Sequence, residues 1–450
     1  MATDQGKSIH NALDYSIQGL DILTSAGQKF DFKQLMTSLT YFEDMYGFVS
    51  SGTLSVTDAQ GFVEALQLTG NEYLEVNIGK IKDAPDNIVE TFRIYKINKR
   101  KPTGSQKSET YEFNFCSEEL FLSEQNKISQ SYPSTSVSDI IKDILTNKLK
   151  VSDNKLNILE STTGIYDFVI PNMKPFEAIS WLSTYARPQK YPGSDMLLYQ
   201  TKEGFNFRSI QSIFNDEVFG TYKYSAKNVD NSEQQTEDKQ TTVQKFEIVK
   251  SYDSLNEVNL GTLANRLISV DPLIRSYYVT DFDYTKYQPQ ASTLNSNAPT
   301  NYAVNRLGEA QYQAFDGALK VATSNKDEMN VPYIKARPGS VAKDIFIETY
   351  VPLRTAQISL VNYTKIKLTI PGDPAITVGK VIEFKMSSLD PANPNPEEDK
   401  FLSGKYLVTA VRHIFTTDQL VTMLEIVKDS SPNKYQAINT SSDWQEAITS

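Results

Sequence analysis

The chain has 450 residues, 45 basic against 55 acidic, a net charge of −10 and a pI near 5.0. That length calls for two to four domains with real cores, and a mildly acidic chain is not built to grip nucleic acid. A single cysteine, Cys116, excludes an internal disulfide, and no apolar run reaches the ~20 residues that a bilayer-spanning helix needs.

The first residues, MATDQGKSIHNALDYSI, lack the apolar stretch of a signal peptide, so a soluble chain assembled in a reducing cytoplasm is expected. From Leu13 to Cys116 the pattern is β. LDYSIQGLDILT and GTLSVTDA carry alternating apolar positions, and EYLEVNIG places Leu74, Val76 and Ile78 on one face after a Thr69-Gly70-Asn71 turn. VETFRIYKINKR and YEFNFC flank the polar turn segment KPTGSQKSE, with Tyr111, Phe113 and Phe115 on one face. About half a dozen short strands predict a barrel or sandwich. FDFKQLMTSLTYFEDM is ambiguous, because Leu35, Leu39 and Phe42 have helical spacing that Thr and Tyr dilute.

After Ser117 the period changes. In SVSDIIKDILTNKLK, Val137, Ile140, Ile141, Ile144, Leu145 and Leu149 form one helical stripe, opened by the capping pair Ser136 and Asp139. IYDFVIPNMKPFEAISWLSTYARP reads as a strand, a turn and a second helix. Pro175 stands in its first turn, Phe176, Ile179, Leu182 and Ala186 form its stripe, and Arg187-Pro188 ends it. MLLYQTKEGFNFRSI predicts a hairpin through Lys202-Glu203-Gly204, which completes an α+β domain over roughly 117–215.

Residues 225–242 are polar and read as a solvated loop. Strands resume at VQKFEIVKSYDSLNEVNLG. Polar STLNSNAPTN then separates DFDY from NRLGEAQYQAFDGALK, a predicted helix, and VPLRTAQISLV predicts another with Pro352 in its first turn. KIKLTIPG and ITVGKVIEFKM are strands. FLSGKYLVTAVRHIF and LVTMLEIVKD pair as a hairpin across Thr417-Asp418-Gln419. Tyr406, Val408, Ala410, Arg412 and Ile414 are expected on one side of the sheet, with Leu407, Thr409, Val411 and His413 on the other. The last twenty or so residues read as a polar tail.

Chemistry-bearing residues are few. His10 and His413 are the only histidines, too little for a Ser-His-Asp triad or a histidine metal site, and His413 reads as a half-buried strand residue. Cys116 lies among strand aromatics without a CxxC partner. Gly6-Lys7-Ser8 ends like a phosphate loop, but Met1 stands where that loop needs glycine and no strand precedes it. Tyr222-Lys223-Tyr224 reads as a solvated strand edge rather than a base-stacking platform. Asn362-Tyr363-Thr364 is a glycosylation sequon, irrelevant in a cytosolic product.

Four segments in fixed order carry a resemblance: LTGNEYLEVNIG, IYDFVIPNMKPFEAISWLSTYA, NLGTLANRLISVDPLIRSYYVTDFDY, and GDPAITVGKVIEF followed by FLSGKYLVTAVRHIF and the final strand. Together, over about residues 13–428, they resemble the baseplate hub proteins of contractile-tailed bacteriophages, which are similar to the N-terminal part of type VI secretion spike proteins. The resemblance implies an α+β, mainly β chain. It would hold two tail-tube-like antiparallel β-barrels, an α+β domain between them and a helical insertion in the second barrel. The implied divisions are 1–116 for the first barrel, 117–215 for the α+β domain, 216–280 with 362–428 for the second barrel, 281–361 for the insertion and 429–450 for the tail.

The resemblance also implies a structural role without catalytic, cofactor-binding or metal-binding residues, and no cofactor. The implied partners are two further copies in a homotrimer, the central spike, the tail tube or its initiator, and the other (wedge) baseplate proteins. Tape measure protein and DNA would pass through the lumen without specific binding, which the acidic charge favours. No stable membrane insertion is implied, and the location would be the virion's tail baseplate. The competing classes are a tail-associated cell-wall hydrolase and a carbohydrate-binding tail-tip protein. No hydrolase-sized segment is left over, and only two tryptophans are present for sugar stacking. The isolated chain is therefore expected to leave purified peptidoglycan intact in a turbidity assay; clearing would reveal a hydrolase.

Overall fold

The computed structural model describes residues 15–65, 68–80, 84–103, 108–224, 241–262, 264–271, 276–287, 290–297, 333–335, 347–387 and 398–433. The phosphate-loop fragment Gly6-Lys7-Ser8, His10, most of the 225–242 loop, the helix expected over 305–320 and the end of the tail lie outside them.

The N-terminal strands are β1 (Ser16–Leu23), β2 (Lys29–Asp31), β3 (Met36–Asp44), β4 (Ser51–Asp58), β5 (Tyr73–Gly79), β6 (Ile88–Thr103) and β7 (Ser108–Cys116). The period-two positions point inward as expected. Leu74, Val76 and Ile78 of β5 meet Tyr111, Phe113 and Phe115 of β7 in one apolar cluster. The ambiguous stretch is strand β3. Leu39, Tyr41, Glu43 and Met45 are buried at period two, and pairing with β4 on one side and a late strand on the other overrides the helical spacing of Leu35, Leu39 and Phe42.

Next come helices α1 (Glu118–Gln125), α2 (Val137–Asp143) and α3 (Pro175–Ser183) with strands β8 (Ile128–Thr135), β9 (Leu156–Leu159), β10 (Thr162–Thr163), β11 (Tyr166–Met173), β12 (Arg187–Pro188), β13 (Met196–Thr201) and β14 (Gly204–Ser209). The Ser136 hydroxyl accepts from the Asp139 N–H at 3.2 Å and caps α2. A π-helical turn, Ile144–Lys148, prolongs α2, and every member of the predicted stripe is buried. Pro175 opens α3. The β13–β14 hairpin turns at Lys202-Glu203, with Gly204 at φ +124°.

The remaining strands are β15 (Val218–Tyr224), β16 (Lys245–Lys250), β17 (Ala264–Asp271), β18 (Ser276–Asp283), β19 (Tyr333–Lys335), β20 (Thr364–Pro371), β21 (Val381–Met386), β22 (Gly404–Thr416) and β23 (Leu420–Lys428). Helix α4 (Ile347–Val361) starts earlier than expected, so Pro352 stands inside the helix rather than in its first turn. Asp429, Ser430 and Ser431 are buried, and Ser431 pairs with Asn297.

Apart from β17 and β18, which form a small separate sheet with β19, the strands of the two expected barrels form one 13-stranded sheet, not two separate closed barrels. Its hydrogen-bonded path runs β16-β20-β23-β22-β3-β4-β7-β6-β5-β1-β2, with β21 on β22 and β15 on β21. One edge of β22 serves both halves. Its start pairs with β21 (Val381↔Leu407) and its end with β3 (Ala410↔Asp44 through Thr416↔Ser38), while β23 follows the other edge. A bulge at Thr409 permits the change. The bulge also overturns the alternation expected for this strand. Before it Val408 stands opposite Ile426, and after it Val411, His413 and Phe415 stand opposite Leu424, Thr422 and Leu420 on the same face of β23, while Arg412 is exposed.

The end of β22 contributes Phe415, with Leu420 of β23, to the cluster of the N-terminal strands. Tyr15 packs edge-on against Phe415 with centroids 5.4 Å apart, and its hydroxyl donates to the Thr416 carbonyl. Phe415→Ala is expected to cost about 3–5 kcal/mol in chemical denaturation and to lower hydrogen-exchange protection in β1 and β5, some 340 or more residues away in sequence. Full protection there would show that the N-terminal strands hold without it.

Candidate interaction surfaces

Glu43 lies on the inward face of β3 and is fully buried. Its carboxylate accepts from the Tyr41 hydroxyl at 2.9 Å, from the Lys202 N–H in the β13–β14 turn at 2.8 Å, and from the Val378 N–H ahead of β21 at 3.1 Å. One side chain thus ties the N-terminal strands, the α+β region and the late strands together. Lys202 strengthens the junction by donating its Nζ to the carbonyls of Asp86 at 2.6 Å and Pro374 at 2.7 Å. Nearby, the Ser50 N–H donates to Gln200 at 3.0 Å, and Lys155 pairs with Glu90 at 2.8 Å. Burial pushes the Glu43 carboxyl up to about 7, against the pull of its three donors.

His413 is fully rather than half buried. Its ring stacks on Tyr41, tilted by 8° with centroids 6.2 Å apart, and Nδ1 lies 3.0 Å from the Thr422 hydroxyl. The same hydroxyl oxygen accepts the Asp373 N–H at 3.0 Å. Burial, then the Lys202 charge, lowers the His413 pKa to about 3.

The other singled-out residues are dispersed. Cys116 is buried at the end of β7, where burial raises its thiol to about 11. Asn362 donates to the Tyr46 hydroxyl at 3.2 Å. Tyr222-Lys223-Tyr224 is not a solvated edge. Tyr222 is in the core, Tyr224 packs on Phe246 at 4.6 Å, and Lys223 bridges to Thr242 on the side away from β21. Among the described residues no three His, Cys, Asp or Glu side chains form a metal-holding group, and no helix is long and apolar enough to cross a membrane. Glu43 was hidden among 55 acidic residues. Its one signal is its place in the period-two series Leu39, Tyr41, Met45, legible once that stretch is read as a strand.

The surface offers material for contacts. Among the described residues, strand β16 pairs only with β20 and leaves Ile248 and Val249 exposed. In the small sheet β18-β17-β19, Ile268 and Val279 are cross-strand neighbours and both exposed, and Tyr277 is 70% exposed. Leu255 and Leu260 are exposed as well. A cavity of about 820 Å³ between α1, α3 and α4 is lined by Phe48, Phe176, Trp181, Tyr185, Tyr350 and Arg354 among others. Exposed apolar patches of this kind are features of binding surfaces.

No protein-family model matches the chain. It is 25% identical over 433 residues, covering 93% of its own length and 94% of the relative's, to the "Probable baseplate hub protein gp334" of Vibrio phage KVP40. The chain resembles a phage baseplate hub protein along nearly its whole length. Its fold is similar to that of a tail protein from Neisseria meningitidis MC58, with a TM-score of 0.53, 10% identity and coverage of 94% of this chain and 100% of that one. It is also similar to the 43 kDa tail protein of prophage MuSo2 from Shewanella oneidensis, with a TM-score of 0.52, 9% identity and coverage of 91% and 98%.

The two buried groups of the junction titrate in opposite senses. Glu43 has a folded pKa of about 7 against an ordinary 4.5, so its contribution is fully present below pH 4.5 and lost as pH rises through 7, roughly 3 kcal/mol at most. His413 has a folded pKa of about 3 against 6.5, so its contribution is present above pH 6.5 and lost as pH falls toward 3. Because Gln does not titrate, the melting temperature of Glu43→Gln minus that of the wild type is expected to rise from pH 5 to pH 8. A flat difference would show that Glu43 stays ionised in the fold.

Proposed function

We propose that the chain is the structural hub of a contractile phage tail baseplate, joining the six-fold tail tube to the three-fold central spike and forming part of the DNA channel. The similarity to a baseplate hub protein over 93% of this chain and 94% of the relative carries this reading. The chain would act without catalysis, in the baseplate of the virion after assembly in the host cytoplasm. Its partners would be the spike, the tube or its initiator and the surrounding baseplate proteins. Tape measure protein and DNA would pass through the lumen.

The geometry of such a joint favours a homotrimer. Six similar faces toward the tube and three toward the spike are supplied by three chains that each present two tube-like β regions, and closed cyclic symmetry is the usual solution for a ring. We assign the first β region to 1–116 and the second to 216–280 with 362–428. The α+β region is 117–215, the insertion 281–361 and the tail 429–450. The sheet supports this reading physically. Because β22 is shared, the two β regions of one chain keep a fixed mutual orientation, which a ring with regular spacing requires.

Electron microscopy and mass photometry of the chain co-expressed with its spike test the proposal. A three-chain ring with six similar lobes is expected, with subunit interfaces of the obligate class, on the order of 2,000 Å² or more. A particle that stays monomeric with its spike, or a true hexamer, would remove the geometric argument.

A further inference from the structure

The hairpin of β6 and β7 carries a charge opposite to that of the rest of the molecule. Residues 95–110 hold five basic side chains, Lys96, Lys99, Arg100, Lys101 and Lys107, against one acidic, Glu109, in a chain of net charge −10. Some of this charge is neutralised within the hairpin and its neighbours. Lys99 pairs with Glu112 at 3.0 Å, and Arg100 with Glu109 at 2.7 Å and Glu64 at 3.1 Å. Lys96 and Lys101 are exposed and have no carboxylate within 4 Å among the described residues.

The same segment is an open sheet edge. Strand β5 accompanies β6 only as far as Tyr73↔Arg93, and among the described residues the Ile94 N–H makes the last backbone hydrogen bond on that side, to the Glu72 carbonyl at 3.0 Å. From Tyr95 to Thr103 no strand lies on the outer edge among the described residues, while the inner edge stays paired with β7 to Thr103↔Ser108. Tyr95 is 47% exposed on it. Lys99 stands in the left-handed region at φ +53°, within a bulge between Asn98 and Lys101, so the edge is bent as well as charged.

We infer that the 95–103 edge, through Lys96 and Lys101, docks on an acidic surface of a second copy of this chain. This rests on the homotrimer reading above. Charge complementarity selects the occupant, because residues 95–110 carry a net charge of +4 and the rest of the chain −14. Unpaired N–H and C=O groups along the edge add capacity for strand addition once the charges have brought the copies together.

Lysines on an open edge also act as guards against indiscriminate pairing, and the two roles separate on charge reversal. Glutamate guards an edge as well as lysine does, but it repels an acidic neighbour. The full chain, co-expressed with its spike, is compared with Lys96→Glu/Lys101→Glu and with Lys96→Arg/Lys101→Arg, by mass photometry at low and high salt. Both positions are exposed and unpaired, so all three proteins are expected to melt alike. The Glu variant should need about tenfold or more protein to form the ring, the Arg variant should assemble like the wild type, and the wild-type ring should weaken with salt. A Glu variant that assembles at the wild-type concentration overturns this docking role and leaves the hub reading intact. A wild-type chain that remains monomeric with its spike overturns both.

Discussion

The architecture depends on strand β22 and the single extra residue in it. A regular strand presents one continuous edge to one neighbour, so two β regions that must touch without merging need a device at the point of contact. The bulge at Thr409 supplies it. Before the bulge, the Val408 N–H and C=O bond to Lys380 and Gly379 of the late region, both at 2.9 Å; after it, the Thr409 carbonyl accepts the Met45 N–H at 2.8 Å and the ladder passes to β3. The inward face changes parity at the same point. Tyr406, Leu407, Val408 and Val411 lie in one apolar cluster and Phe415 in the other. Covalent continuity of one strand through two cores couples them more rigidly than a linker would.

Buried polar groups gather where the three regions meet. Burying Glu43 is costly unless its lone pairs are filled, and here they are filled from three different regions. An apolar contact tolerates sliding, whereas a carboxylate with three directional donors does not. The junction thus gives up some stability above neutral pH and gains a defined arrangement of strands, hairpin and loop. His413, stacked on Tyr41, holds the adjoining strand face in the same way while remaining neutral. For a protein read as a joint between symmetric assemblies, rigidity between regions is the useful property.

Exposed apolar groups include Ile248 and Val249 on β16, Tyr277 and Val279 on β18, and Leu255. A large rigid interior with open strands at its margins suits a subunit whose work is to be surrounded. The junction's titratable groups are sealed among hydrogen bonds.

The sequence by itself determined the local structure wherever a period was strong. Alternation placed Leu74, Val76 and Ile78 inward, the 3.6 period placed the stripe from Val137 to Leu149, and Ser136, Pro175 and Gly204 set caps and turns, because these effects act within a few residues. Four ordered segments were enough to show the resemblance to hub proteins. Only the tertiary structure decided that the two β regions share a sheet, since an extra residue at Thr409 is visible only against the strands opposite it. It alone decided that MTSLTYFED, within FDFKQLMTSLTYFEDM, is a strand, that Tyr222 is core rather than edge and that His413 is wholly enclosed. It also singled out Glu43 from the other carboxylates. Each of these depends on partners far away in the chain, and no window of sequence contains both sides of such a contact.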